Sequence, residues 1–285
     1  MEIDKRDVAM IETLKESMMS WMTIRANKVS KNYLSYVIPI SGDDESTDPV
    51  PTAIGTGILI DFDGDKYLIT AAHVADHQKN TRLLMGVSNR MIPISKAFIC
   101  TDPPHGERAK DRLDFAFMRL DNEMLSQMPC AQFLGKDQIS ENRADPTKRS
   151  YLAMGYPISR NKKVNATQRK VYSEAWHYQS NGFIPDDKTL DKIDCDIDHH
   201  LFIRMTKKVG NYKGDRVDSG SPKGASGGAL IDMGVPHPET FHPDAPVVGR
   251  LAGLFIERKQ DEKLLVFVRI QLILNAIQLS RNDGR

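Results

Sequence analysis

Three short segments of the sequence carry the residue types of a nucleophilic catalyst. TAAH at 70–73 follows the apolar run YLI, LDFAF at 113–117 places an aspartate before a strand-like run, and GASGG at 224–228 holds a serine between glycines. In a Ser-His-Asp triad the imidazole takes the serine proton, while the carboxylate orients the imidazole and stabilises the imidazolium that forms. The candidate triad is therefore His73, Asp114 and Ser226.

The order of these residues and their neighbours resembles the chymotrypsin-type (trypsin-like) serine peptidases. That family carries T-A-A-H at its histidine, Asp-hydrophobic-Ala-hydrophobic at its aspartate and G-x-S-G-G at its serine, and all three patterns stand here in the family's order. Subtilisins and α/β-hydrolases use other orders. Outside the motifs the resemblance covers about residues 50–280 as a pattern of strands, similar to bacterial intracellular members. It implies a serine endopeptidase that works through an acyl-enzyme and needs no cofactor.

The resemblance also implies how the reaction would be stabilised and activated. The backbone N–H groups of Gly224 and Ser226 would form the oxyanion hole, and loss of one such donor typically costs about 10²–10³ in turnover. Digestive trypsins have an aspartate directly before the serine that pairs with a freed N-terminus. Ala225 stands at that position here, so activation by that ion pair is not available to this chain.

The resemblance gives less guidance on which side chain is accepted next to the scissile bond. The pocket floor of trypsins lies six residues before the serine, where this chain has glycine, and RLAGLFIER at 250–258 resembles the strand that walls the pocket. The candidate pocket residues are Gly220, Asp218, Ile256 and Glu257. Glu257 would favour basic side chains, but Arg258 would neutralise it, so a preference for basic or for small apolar side chains stays open.

Composition excludes several classes of function. The 285 residues contain 39 Lys and Arg against 38 Asp and Glu, a net charge of +1, which argues against binding to nucleic acid or an anionic membrane by charge alone. The basic residues at 160–170 lack interleaved aromatics. No apolar run approaches the ~20 residues of a membrane span, and three cysteines without a CxxC pair argue against a disulfide scaffold or a zinc site. We expect a soluble, cytoplasmic protein that acts on protein substrates.

The arrangement of apolar runs predicts the elements that must position the triad. Many short runs separated by Gly, Pro and Asp indicate strands of a barrel or sandwich, and GTGILIDFDGDKYLIT reads as a hairpin around Asp-Gly. We expect an all-β double β-barrel of chymotrypsin type, with helices at 5–27 and 271–280. The predicted units are a helical extension at 1–35, a first barrel at 36–135 with the His and Asp, and a second barrel at 136–285 with the Ser.

The N-terminal helix has two interpretations. Val8, Ile11, Leu14, Met18, Trp21 and Met22 recur at helical spacing. We expect this apolar face to pack on the body of the protein, and the alternative is a docking surface for a regulatory partner. Related bacterial proteases often belong to stress or defence modules that cut one partner protein, so the resemblance makes gating by such a partner a second hypothesis.

The segment 186–200, DDKTLDKIDCDIDHH, is the most acidic stretch. A metal site there would use Cys195, Asp198, His199 and His200, but the spacing matches neither an EF-hand nor a zinc finger, so no metal is predicted. We expect a solvated loop that helps to select basic substrates. His77 and Asp111 stand near the motifs but outside the motif positions, and we expect both to be exposed.

Two rival functions use the same fold. A binding module that has lost turnover would be free to lose His73 or Ser226, and both are present. An esterase without peptidase activity would cleave small esters efficiently and no peptide.

Overall fold

A computed structural model describes residues 5–43, 51–88, 90–141, 144–161, 164–165, 170–171, 173–210, 216–237, 246 and 248–282. Side chains are described from Glu16 onward, except at 164–165, 170–171, 209–210 and 216–217. Five α-helices lie in these ranges: α1 Lys5–Tyr33, α2 Ala72–Ala75, α3 Asn122–Gln127, α4 Asp187–Ile193 and α5 Ile270–Asn282. Within the described part of the chain, no helix combines the length and apolarity that crossing a membrane would require.

The first half of the chain forms an antiparallel sheet of seven strands. The strands are β1 Val37–Asp43, β2 Thr52–Phe62, β3 Asp65–Ala71, β4 Arg82–Val87, β5 Arg90–Pro93, β6 Ile99–Cys100 and β7 Phe115–Arg119. Their spatial order is β5-β4-β1-β2-β3-β7-β6. β3 therefore pairs with both β2 and β7, which places the segment after β3 beside the segment before β7.

The second half of the chain forms a closed six-stranded barrel. This half contains ten described strands, six of them in the barrel: β8 Ser150–Gly155, β9 Val164–Asn165, β10 Lys170–Val171, β11 Trp176–Phe183, β12 His200–Arg204, β13 Lys208–Gly210, β14 Arg216–Asp218, β15 Ala229–Asp232, β16 Arg250–Lys259 and β17 Leu264–Arg269. The barrel order is β11-β12-β17-β16-β15-β8, while β9 with β10 and β13 with β14 form separate two-stranded sheets. The predicted all-β fold of chymotrypsin type, with helices at both ends, is confirmed.

The predicted hairpin is present and its turn explains the register of β2 and β3. Asp63 and Gly64 have φ values of 50° and 86°, the conformation of a two-residue turn that Asp-Gly favours. The pairing then runs without a shift from Phe62 with Asp65 to Gly57 with Thr70. This register carries the TAAH segment to one end of the sheet.

The largest apolar core lies between the sheet and the barrel. Alternate residues of β2 point to opposite faces: Ile58 and Ile60 join the core shared with the barrel, while Leu59 joins a core inside the first half. The barrel contributes Val266 and Val268 of β17 to the shared core. Two β units packed face to face in this way create a cleft where their loops meet.

The N-terminal helix packs on the barrel through its last turns and extends six residues beyond the predicted end. Ala26, Val29 and Tyr33 are buried. The Tyr33 hydroxyl donates to the carbonyl of Gly249, and burial raises the pKa of Tyr33 to about 12. The side chains of Val8, Ile11 and Leu14 in the predicted apolar face lie outside the described residues.

The acidic segment is largely exposed to solvent, as its composition predicts, but half of it is a helix and not a loop. Residues 187–193 form α4, which begins where the Asp186 carboxylate accepts a hydrogen bond from the Thr189 N–H at 2.8 Å. Asp186 at the N-cap and Asp187 in the first turn complement the helix dipole. His200, at the end of the segment, is only 1% exposed because it opens β12 of the barrel.

Candidate active site

His73 and Asp114 are joined by two hydrogen bonds. The His73 Nδ1 atom lies 2.5 Å from Asp114 Oδ2, and the His73 backbone N–H donates to Asp114 Oδ1 at 2.9 Å. The Asp114 side chain is largely buried, whereas 40% of the His73 side-chain surface is exposed. The imidazole is therefore oriented through Nδ1, which leaves Nε2 for chemistry outside this pair.

The backbone around Asp114 explains why an aspartate stands there. β7 begins at Phe115, which pairs with Ala71 at the end of β3, and the Ala72 N–H donates to the Asp114 carbonyl at 2.9 Å. Asp114 has a φ of 37°, in the left-handed region that aspartate tolerates better than most residues. The turn into β7 thus points the carboxylate back at the histidine.

Ser226 sits in a tight turn that is hydrogen-bonded to the first half of the chain. The Ser226 carbonyl accepts a hydrogen bond from the Thr56 N–H of β2 at 2.8 Å, and the Gly227 N–H donates to the Phe255 carbonyl of β16 at 2.7 Å. Gly227 has a φ of 85°, which allows the chain to reverse beside the serine. The serine is thereby held at the junction of the two halves.

The backbone before the serine fixes the direction of the candidate oxyanion-hole donors. The Ile158 N–H donates to the Lys223 carbonyl at 2.8 Å. In a trans peptide the C=O and the following N–H point in opposite directions, so the Gly224 N–H faces away from Ile158. Within the described residues, neither the Gly224 nor the Ser226 N–H donates to another backbone group. Both donors therefore remain available to a substrate.

His73 and Ser226 line one cleft of about 510 Å³. The other lining residues are Ile54, Ile158, Ser221, Pro222, Lys223, Gly224, Phe255, Ile256, Glu257, Arg258 and Gln260. The cleft thus combines a histidine, a serine and free backbone donors with an apolar wall, the combination that acyl transfer requires.

Two of the four candidate pocket residues line this cleft. Ile256 and Glu257 do so, whereas Gly220 and Asp218 lie outside the lining. A Cβ at Gly220 would lie 3.6 Å from the Trp176 ring and 3.7 Å from the Arg160 guanidinium. The Asp218 carboxylate accepts a hydrogen bond from the Gly220 N–H at 2.9 Å.

Thr56 connects the halves of the molecule and was not identified from the sequence. The Thr56 N–H bonds to Ser226, as described above, and the Thr56 Oγ1 accepts a hydrogen bond from the Tyr156 N–H at 2.9 Å. The Thr56 carbonyl accepts a hydrogen bond from Thr70 Oγ1 at 2.6 Å. The threonine of TAAH therefore supports the residue that holds the serine. A threonine in a Gly-Thr-Gly strand is the only sequence signal for Thr56, and it is a weak one.

Arg108 connects Asp76, directly after α2, to the segment before Asp114. Its Nε donates to Asp76 at 2.7 Å, and its Nη1 donates to Asp111 at 2.5 Å and to the Thr101 carbonyl at 2.8 Å. The Asp111 side chain is only 5% exposed, so the prediction that Asp111 is exposed was wrong, because this ion pair covers it. His77 is exposed, as predicted.

Loss of the Arg108 side chain is expected to destabilise this region in a pH-dependent manner. Burial alone would raise the pKa of Asp76, but hydrogen bonds from Arg108 and Lys79 outweigh it and lower that pKa. Arg108→Ala should reduce the free energy of unfolding at pH 7 by about 2 kcal/mol. A lowered carboxylate pKa contributes stability above its ordinary value that is lost as pH falls, so the difference from wild type should shrink below about pH 4.

Urea denaturation across that pH range measures this effect. The matched control is Lys79→Ala, because Lys79 also pairs with Asp76 but has a side chain that is 74% exposed. An exposed pair contributes at most about 1 kcal/mol. Equal losses in the two variants, or a difference that does not change with pH, would contradict the role given to Arg108.

The acidic segment also contacts the segment before Asp114. The His200 Nε2 lies 2.9 Å from the Arg112 carbonyl, and the Arg112 side chain pairs with Asp194 at 2.9 Å. The His199 Nδ1 lies 2.8 Å from the Asp196 carboxylate. Within the described residues, no group of three or more His, Cys, Asp or Glu side chains is arranged around a common metal position. The segment instead links the barrel to the loop that carries Asp114.

Comparison with solved structures identifies the fold. An HtrA-type protease, AlgW, determined with a tripeptide, has a TM-score of 0.52 and 14% sequence identity, covering 91% of this chain and 64% of that chain. A substituted form of AlgW has a TM-score of 0.50 and 14% sequence identity, and the match covers 93% of this chain and 64% of that chain. The serine protease domain of the Sesbania mosaic virus polyprotein has a TM-score of 0.44 and 13% sequence identity, and the match covers 85% of this chain and 91% of that chain. No protein-family model and no curated protein matches the sequence.

The similarity to the two AlgW structures establishes the fold. Both AlgW chains are HtrA-type proteases, and this chain superimposes on less than two thirds of their length. The fold of the chain is therefore that of the chymotrypsin-like serine proteases.

Proposed function

We propose that this chymotrypsin-fold chain is a serine endopeptidase with Ser226 as nucleophile, His73 as general base and then acid, and Asp114 as the residue that orients the histidine. The observation that carries the proposal is the paired hydrogen bonding of His73 with a largely buried Asp114, in a cleft that Ser226 also lines. This arrangement supports peptide-bond hydrolysis with no group beyond the chain's own side chains and water.

The proposed mechanism follows from the positions of these groups. Ser226 Oγ attacks the peptide carbonyl as His73 Nε2 takes its proton, and the N–H groups of Gly224 and Ser226 stabilise the oxyanion. The imidazolium, held by Asp114, then protonates the leaving amine as the C–N bond breaks. Water attacks the acyl-enzyme with His73 again as base, and Ser226 regains its proton.

Labelling with a fluorophosphonate probe tests whether the site is assembled. Wild type should be labelled at one serine, and both Ser226→Ala and His73→Ala should lose the labelling. Ser221→Ala is the matched control, because Ser221 lines the same cleft and should remain labelled at Ser226. A folded wild type that resists the probe, or labelling that survives in Ser226→Ala, would contradict the proposal; the first result would favour a binding module on this fold.

We further propose that a protein partner gates the activity through the N-terminal helix, in the cytoplasm. Met18 and Ile24 expose about 40% of their surface on this helix, and three free cysteines suit a reducing compartment. Removal of residues 1–24 takes away both exposed side chains and keeps the buried contacts of residues 26–33. Unchanged activity and regulation in that truncated chain would refute the gate without affecting the proposed triad.

A further inference from the structure

The cleft is lined by more cationic than anionic side chains. Besides His73, the charged side chains that line it are Lys223, Glu257 and Arg258. Lys223 stands directly before the candidate oxyanion-hole glycine, and Glu257 and Arg258 lie on β16, which forms one wall. A substrate in this cleft would meet two cationic side chains and one carboxylate.

The single carboxylate already has a partner. Glu257 Oε1 lies 2.6 Å from the ammonium of Lys259, which is two residues farther along the same strand face. Lys259 does not line the cleft, so it neutralises Glu257 from the side. Glu257 therefore offers little free negative charge to a basic substrate, in contrast to the basic preference that its position suggests.

The two cationic side chains have no such partner. Within the described residues, neither Lys223 nor Arg258 forms a salt bridge. The Nε atom of Arg258 is buried and donates no hydrogen bond, and a buried donor without an acceptor costs about 1–3 kcal/mol. An arginine presents its N–H groups as a fork that matches a carboxylate. Arg258 therefore lines the cleft without a carboxylate partner among the described residues, and an acidic side chain of a substrate would supply one.

We propose that the cleft selects substrates with an aspartate or glutamate close to the scissile bond, and that Arg258 receives this carboxylate with support from Lys223. This inference rests on the proposed endopeptidase function and names its substrate class. It replaces the basic or small apolar preference that the sequence left open. Ile54, Ile158 and Ile256 line the same cleft, and the low polarity of these side chains strengthens an ion pair formed beside them.

Paired peptides that differ only in Glu or Gln at each position around the cleavage site test the preference. Wild type should cleave the best Glu peptide with a kcat/KM at least about tenfold higher than its Gln twin, the size of one good charge-assisted contact. Arg258→Gln should bring the Glu-to-Gln ratio of kcat/KM close to one, whereas Arg258→Lys should retain part of the preference for Glu. Arg258→Glu should cleave a peptide with Lys at that position faster than its Glu counterpart. Lys223→Gln should lower the ratio less than Arg258→Gln.

Arg250→Gln is the matched control, because Arg250 begins the same strand, is exposed and lies outside the cleft. It should keep the wild-type ratio. A Glu-to-Gln ratio near or below one in a wild type that fluorophosphonate labels would overturn the acidic preference and leave the proposed function standing. An unchanged ratio in Arg258→Gln, with the same thermal unfolding temperature, would overturn the role of Arg258.

A binding measurement separates failure of recognition from failure of catalysis. If wild type resists the probe, the same Glu and Gln peptides are titrated into Ser226→Ala by calorimetry. Tighter binding of the Glu peptide than of the Gln peptide would support recognition of an acidic side chain without turnover, provided that the difference is lost in the double variant Ser226→Ala, Arg258→Gln. Equal or undetectable binding would overturn it.

Discussion

Asp114→Asn should lower kcat by about four orders of magnitude while the protein remains folded, as expected when the carboxylate of a triad is replaced by an amide. The His73 backbone N–H donates to Asp114 Oδ1 at 2.9 Å, and an asparagine keeps an oxygen that can accept this hydrogen bond. It no longer supplies the negative charge 2.5 Å from His73 Nδ1. The imidazole then loses its fixed tautomer, and the imidazolium loses its stabilising partner. Single-turnover acylation rates against pH measure the loss.

Asp111→Asn is the matched control for this experiment. Asp111 is buried three residues before Asp114, but it binds Arg108 rather than the histidine. Its replacement should lower stability and change the acylation rate by less than about tenfold. A similar rate loss in both variants, or a loss below about tenfold in Asp114→Asn, would contradict the assignment of Asp114.

Gly227→Ala should cost more stability than any other single methyl addition around the serine. A Cβ there would lie 2.0 Å from the Thr56 carbonyl oxygen and 2.4 Å from Thr70 Oγ1. The φ of 85° adds strain for any residue with a Cβ. Because the clashing oxygen belongs to the backbone, the two halves must separate locally. We expect a loss of about 3 kcal/mol or more in urea denaturation, together with loss of Ser226 labelling.

Gly64→Ala separates strain from steric clash. Gly64 has a nearly identical φ of 86°, with no atom within 4 Å of the added Cβ. The Gly64→Ala variant should therefore lose only about 1–2 kcal/mol of unfolding free energy, from strain, and its Ser226 should still be labelled by the probe. Equal losses at positions 64 and 227 would show that the contact between Thr56 and Gly227 does not hold the serine turn.

The β2–β3 hairpin depends on neighbouring residues, and its prediction is confirmed. The Asp63-Gly64 turn fixes the β2–β3 hairpin through local backbone preference, and the hairpin register then carries TAAH to the end of the sheet. The pairing of β3 with β7 brings His73 to Asp114. The sequence motifs name both residues, and their hydrogen bonds follow from the sheet.

Features that depend on distant contacts were not predicted. The Arg108 guanidinium that covers Asp111 also binds Asp76, which lies 32 residues earlier in the chain, and no local pattern predicts that contact. His200 looks like part of a polar run, yet β12 buries it against the segment before Asp114, where its Nε2 lies 2.9 Å from the Arg112 carbonyl. The pairing of Glu257 with Lys259 was missed for another reason, because the sequence does not say which of the two adjacent cations, Arg258 or Lys259, takes the carboxylate.

Digestion of a denatured protein substrate tests the central claim most directly. New peptide termini, identified by mass spectrometry after incubation with wild type, should be absent when Ser226→Ala is used at the same concentration. The Ser221→Ala variant should produce the same termini as wild type. Termini that persist with Ser226→Ala, or a fluorophosphonate-labelled wild type that produces none and cleaves only small esters, would contradict a serine endopeptidase.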